Sequence, residues 1–156
     1  MQTTARDTGA GGPGAGLSPT LSLALLRMGL APEDLSKGGS ELGGLETRLL
    51  SRGETLLKEG DPPGEAFVVD AGLLQVFKRQ PGGSEVLMAE LGPGSIVGEM
   101  SLLTLEPRAA TVVAARETRL FVITSRVFAD LVRLSSAFAV KVAKLSEERR
   151  RELARV

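Results

Sequence analysis

The chain reads as a mainly β domain with flanking helices, and three observations carry that reading. Between Leu45 and Ile123, short apolar segments are divided by Gly, Pro and Asp at intervals of about ten residues, the rhythm of an antiparallel β domain. The segments are rich in β-branched and aromatic residues, which suit a pleated, half-buried surface. On either side of this stretch the apolar residues recur at helical spacing instead.

Taken in order, residues 1–16 are glycine-rich and nearly devoid of large apolar groups. Such a segment buries too little surface to offset its ordering entropy, so it is expected to be a disordered tail. Residues 17–44 hold a short helical segment and a linker. The helix covers Leu21 to Met28, with Ser18 as N-cap, Pro19 at the first helical position and Gly29 as the stop. Ser36 to Ser40 is the linker. Turns are expected at 59–64, 70–72, 81–83 and 92–94, and strands at Ala66–Val69, Leu73–Lys78, Glu85–Glu90, Ala110–Ala114 and Arg119–Ile123. These belong to one β domain, 45–124.

From Ser125 to Val156 the pattern turns helical. Val127, Phe128, Leu131 and Val132 form one stripe, and Phe138, Val142 and Leu145 form another on a second helix. That helix ends in the charged run Glu147 to Glu152, where Glu147 and Arg151 make an i,i+4 pair in the favourable order. The run reads as a solvated helical face, or as a surface for a partner or a homodimer through 138–156. Too few heptads exist to specify a coiled coil.

Composition sets the function classes aside one by one. The 156 residues suffice for one sizeable core, and 19 basic residues balance 19 acidic ones, so no large field favours nucleic acid or an acidic membrane surface. No apolar run approaches the ~20 residues that span a bilayer, and the first residues lack the charged-then-apolar pattern expected of a signal peptide. With no cysteine, disulfides are excluded and a cytoplasmic location is the default expectation. With neither His nor Cys, the usual zinc, iron and copper sites and the Ser-His-Asp and Cys-His nucleophiles cannot be built, so no metal is expected. No paired carboxylates stand out either, and the expectation is a binding protein, not an enzyme.

The stretch 98–111, Gly-Glu-Met-Ser-Leu-Leu-Thr-Leu-Glu-Pro-Arg-Ala-Ala-Thr, carries the strongest chemical signal. Glu99 can accept hydrogen bonds from neighbouring hydroxyls, and the planar fork of Arg108 suits phosphate oxygens. Met100 to Leu103 can form one helical turn whose free N–H groups face an anion. Structural roles compete for the same residues: Arg108 in an ion pair with Glu99 or Glu106, Glu99 as a helix N-terminal charge, and Met100, Leu102 and Leu103 as core.

This stretch resembles the phosphate-binding cassette of cyclic-nucleotide-binding domains, the family of protein kinase A regulatory subunits and catabolite-activator-type regulators. The resemblance extends to Arg52–Asp61, Ala66–Val76, Leu91–Gly94 and Leu120–Phe128, and covers roughly residues 46 to 135. It implies an eight-stranded jelly roll, a double-stranded β-helix, followed by B- and C-type helices. It also implies a ligand site at Gly98, Glu99, Met100, Ser101, Arg108, Ala109, Ala110 and Thr111, closed by an aliphatic lid. The chain has no Trp or Tyr, and Leu145, Val142 or Phe138 are the lid candidates.

Ala109 after the cassette arginine resembles the cyclic AMP-selective pattern, with cyclic GMP as the second ligand. The implied function is a cyclic nucleotide sensor with no cofactor beyond its ligand. It would signal through movement of its C-terminal helices to an unidentified protein partner, either standing alone or as a fragment of a longer protein. Two alternatives stay open: a degenerate scaffold that binds no nucleotide, and a receptor for cyclic di-GMP using Arg116, Arg119 or Arg126 for a second phosphate.

Overall fold

The computed structural model describes residues 5–7, 17–37, 42 and 44–156. Its elements are β1 (Ala5–Asp7), α1 (Pro19–Arg27), α2 (Pro32–Lys37), β2 (Thr47–Leu50), β3 (Thr55–Leu57), β4 (Ala66–Ala71), β5 (Leu74–Arg79), β6 (Glu85–Leu91) and β7 (Ile96–Val97). They continue with α3 (Glu99–Thr104), β8 (Thr111–Ala114), β9 (Thr118–Ile123), α4 (Ser125–Leu134) and α5 (Ser136–Ala154).

Eight strands, β2 to β9, form the two facing sheets of the jelly roll. One sheet runs β2-β9-β4-β7 and is extended by β1 at the β2 edge; the other runs β3-β8-β5-β6. All pairings are antiparallel. The expected strands appear within a residue or two of their predicted ends. Ala5–Asp7 corrects the expectation of disorder at those three positions, because their backbone pairs with Thr47–Leu49 of β2. The rest of 1–16, positions 38–40 of the linker, and residues 41 and 43 lie outside the described residues. Helix α2 also replaces part of the expected linker, with Asp34 accepting from the Ala31 amide at 2.8 Å at its start.

β4 and β9 explain why the domain has two cores. Phe67, Val69, Leu120 and Val122 point between the sheets with Leu50, Leu74 and Val112. The alternate residues Ala66, Val68, Phe121 and Ile123 point outward, where an apolar face needs a cover. The helices supply it: Leu21 and Leu25 of α1, Phe128 and Leu131 of α4, and Phe138 and Val142 of α5 close the outer core.

Each long helix starts on a hydroxyl cap. Ser18 accepts from Leu21 at 3.4 Å, Thr124 from Val127 at 3.2 Å and Ser135 from Phe138 at 3.1 Å. Ser135 also donates to the Gly29 carbonyl at 3.1 Å, which ties the α4–α5 joint to the end of α1. Phe128 and Phe138 meet edge to face at 5.7 Å and set the angle at which α5 leaves α4. That exit carries α5 back across the mouth of the β domain. No described helix is long and apolar enough to cross a membrane.

Candidate functional site

A cavity of about 200 Å³ opens between the sheet β3-β8-β5-β6, the segment 97–101, the loop 108–110 and α5. Its strand wall is apolar, with Leu57, Val76, Met88, Leu91 and Val112. The polar groups converge from the cassette and from α5.

Gly98 is the backbone device that makes the convergence possible. It caps α3 in the left-handed region, with φ 82°. A Cβ there would lie 3.0 Å from both Arg108 Nη1 and the Glu65 carbonyl oxygen. The turn therefore lets the Arg108 side chain run directly against main chain. Arg108 Nη1 donates to Ser101 Oγ at 2.8 Å and to the Gly98 carbonyl at 3.3 Å, and Nη2 donates to the Glu65 carbonyl at 2.9 Å. Its own backbone is pinned too: the Arg108 amide donates to the Asp61 carbonyl at 2.8 Å, and the Gly60 amide donates to the Arg108 carbonyl at 2.9 Å. Three of its five N–H donors are thus engaged, and no partner is found for the other two among the described residues. Burial lowers the Arg108 pKa, opposed by the nearby Glu65, Asp61 and Glu99 carboxylates. The group stays a cation at neutral pH.

Glu99, first residue of α3, is 1% exposed. Its Oε1 bonds Arg149 Nη1, which also donates to the Ile96 carbonyl at 2.7 Å. Its Oε2 has no hydrogen-bond partner among the described residues. A buried carboxylate oxygen without a donor costs about 1–3 kcal/mol, and here it lines a cavity where a ligand hydroxyl would satisfy it.

The cavity wall includes Gly98, Glu99, Met100, Ser101, Arg108, Ala109, Ala110 and Leu145. Thr111 is the exception. Its hydroxyl accepts from the Glu59 amide at 3.0 Å and lies outside the wall, because the strand register turns it toward the backbone of the preceding loop. Val142 and Phe138, the other lid candidates, are consumed by the outer core. The competing reading, an ion pair of Arg108 with Glu99 or Glu106, is not found among the described residues. Glu99 goes to Arg149 and Glu106 to Arg150, at 3.5 Å for the latter. Arg116, Arg119 and Arg126 are not on the wall, and Arg119 lies 3.5 Å from Asp70.

The sequence reading missed the part played by the C-terminal charged run. Glu148, Arg149, Glu152 and Leu153 line the cavity with Leu145. Their spacing of three and four, shared with Leu145, was the available signal; the surrounding charges masked it.

Comparisons with known proteins show the family and the fold. A family model described as "Cyclic nucleotide-binding domain" matches residues 47–135. The chain is 34% identical over 124 residues to the Cyclic AMP receptor protein of Thermus thermophilus, covering 80% of this chain and 56% of that protein. It is 33% identical over 100 residues to the cAMP-dependent protein kinase regulatory subunit of Dictyostelium discoideum, covering 64% and 30%. Among solved structures, Thermus thermophilus Catabolite Activator Protein superposes with a TM-score of 0.71 at 33% identity, over 83% of this chain and 59% of that one. The chain spans about half the length of the first of these curated relatives and a third of the second.

Proposed function

The chain belongs to the cyclic nucleotide-binding domain family, and from that premise we propose that it is a cyclic AMP-binding regulatory module whose ligand controls the position of α5. The observation that carries this reading is the Glu99 carboxylate, 1% exposed with Oε2 unpartnered, in the same cavity as the Arg108 guanidinium. A ribose hydroxyl donates to Glu99 Oε2, and the remaining N–H donors of Arg108 meet the cyclic phosphate. The base lies over the apolar strand wall, under Leu145 and Leu153. Ala109 offers no hydroxyl for a guanine, which favours adenine.

Control of α5 follows from what it touches. Arg149 is bonded to Glu99, and Arg150 reaches Glu106 at 3.5 Å, so the helix is fastened to both ends of the cassette. A ligand that reorganises the cassette changes the free energy of holding α5 there, and a partner that reads α5 receives the signal. The names of the relatives, a cyclic AMP receptor and a kinase regulatory subunit, support a role in binding and regulation over catalysis.

The test is isothermal titration calorimetry of the full chain with cyclic AMP, cyclic GMP and cyclic di-GMP, repeated on Arg108→Ala. Saturable cyclic AMP binding that falls at least about a hundredfold in the variant is the expected result, since a buried charge-assisted contact is lost. Preference for cyclic di-GMP, or no binding of any of the three, overturns the reading.

A further inference from the structure

Resting on the reading that this cavity takes a cyclic nucleotide, we propose that Lys78 of β5 is a positioning residue for the ligand's phosphate. It grips the Ala109 carbonyl from behind the cavity wall and so fixes the direction of the amide that follows. Lys78 Nζ donates to the Ala109 carbonyl at 3.2 Å and to Glu59 Oε2 at 2.8 Å. Leu74, Val76 and Lys78 share one face of β5. Leu74 belongs to the inner core and Val76 lines the cavity. Lys78 comes next, one step beyond the last β5–β8 pair, Phe77 with Thr111. It is not on the cavity wall, so its ammonium acts through the peptide it holds.

The ammonium is itself fixed in place. Glu59 Oε1 accepts from the Arg79 amide at 3.0 Å, and the Glu59 amide donates to Thr111 Oγ1 at 3.0 Å. The carboxylate therefore ties Lys78 both to its own strand and to the start of β8. A partly exposed Lys–Glu pair adds little to stability by itself, and these side chains are 27% and 23% exposed. The contact that sets this pair apart is the third one, to a carbonyl of the cassette.

The two peptides after Arg108 are each held by the carbonyl. The Gly60 amide takes the Arg108 carbonyl at 2.9 Å, and Lys78 takes the Ala109 carbonyl. In a planar trans peptide the N–H points opposite to the C=O. The Ala109 amide is thus turned away from Gly60, and the Ala110 amide away from Lys78. Neither amide has a hydrogen-bond partner among the described residues, although Ala110 is only 9% exposed. Both residues line the cavity beside Arg108. Buried amides are seldom left unpaired, and two in succession next to a guanidinium suit the oxygens of an anion. Without Lys78 the 109–110 peptide is free to rotate, and its amide loses that direction.

The experiment is calorimetry on the full chain with cyclic AMP and its two phosphorothioate diastereomers. Each diastereomer replaces one exocyclic phosphate oxygen by sulfur, a poorer acceptor. Lys78→Met should weaken cyclic AMP by about tenfold. It should also shrink the sulfur penalty of one diastereomer by about threefold or more, and leave the other unchanged. Arg79→Ala removes the neighbouring exposed cation and controls for long-range attraction; it should cost less than about threefold and keep both penalties. Glu59→Gln loosens Nζ without removing it, and should shift the same penalty by less; urea midpoints at neutral pH check the fold of all three variants. Equal weakening by Lys78→Met and Arg79→Ala, or penalties that stay fixed or change equally in Lys78→Met, overturns this inference and leaves the nucleotide-binding reading standing. Failure of wild type to bind any of the three compounds overturns both.

Discussion

Gly98→Ala tests the backbone geometry on which the site depends. Two costs are set by the structure. The residue sits at φ 82°, where an L side chain is strained by about 1–2 kcal/mol. The new Cβ would also stand 3.0 Å from the Glu65 carbonyl oxygen and 3.0 Å from Arg108 Nη1. The first is backbone, and the second is held by bonds to Ser101, Gly98 and Glu65, so neither yields freely. Relieving such an overlap adds about 1–2 kcal/mol. The sum, about 2–4 kcal/mol, corresponds to a fall in Tm of roughly 5–15 °C for a domain of this size.

Gly83→Ala is the internal control: its φ is 94°, yet nothing lies within 4 Å of its added Cβ. It carries the strain without the contact and should lose only the strain cost of about 1–2 kcal/mol. Urea unfolding of both variants, with unchanged m-values, isolates the contact as the difference between them. Cyclic AMP affinity should fall in Gly98→Ala and hold in Gly83→Ala. Equal destabilisation in the two variants would refute the argument that Gly98 is required by close approach to Arg108.

Three further outcomes follow from named contacts. Arg149→Ala leaves the buried Glu99 carboxylate without its cation and should cost about 1–3 kcal/mol in urea unfolding, whereas Arg150→Ala, at an exposed pair, should stay within about 0.5 kcal/mol. Thr111→Val removes the acceptor for the Glu59 amide and should cost about 1 kcal/mol of stability while leaving cyclic AMP affinity unchanged; an affinity loss beyond about tenfold would return Thr111 to the ligand. Glu59 loses hydration on burial, which raises its pKa, but Lys78 at 2.8 Å and the Arg79 amide at 3.0 Å outweigh this and hold it below the ordinary 4.5. A lowered carboxylate pKa stabilises the fold above the unfolded-state value, and that contribution disappears as pH falls from about 4.5 through the lower folded-state value. Lys78→Met should therefore flatten the acid limb of a plot of urea midpoint against pH, and an unchanged limb would count against the pairing.

Much of this molecule was legible in its sequence because local rules and tertiary demands coincide. The hydroxyl cap Ser18, the turn glycines and the β-branched runs of β4 and β9 each specify a short element that the fold then uses unchanged. The chemistry of 98–111 was legible for the same reason, since Glu99, Ser101 and Arg108 lie close in the chain and one turn of α3 brings them together. The strand Ala5–Asp7 was not, because three residues among glycines carry no periodicity and gain their order from the open edge of β2. Nor was the role of Thr111, whose partner is 52 positions away in sequence.

The charged run of α5 is the instructive case. On sequence, Glu147 to Glu152 is a helix polar all round, and such a helix usually belongs in water. What turns part of it inward is remote. Ser135 holds the Gly29 carbonyl at 3.1 Å, and Phe138 is buried against Phe128, which together set the axis of α5 at its first turn. Val142, with no exposed surface, keeps the next turn on the outer core. Once those positions are pinned, the 3.6-residue repeat delivers Leu145, Glu148, Arg149 and Glu152 to the cavity mouth, and Glu147 and Arg151 to solvent. Charge identity then matters where charge count did not: the cavity receives one arginine matched to a buried carboxylate and two glutamates whose side chains have no partner among the described residues. A helix serving only as a solvated face would have no reason to divide its pairs that way.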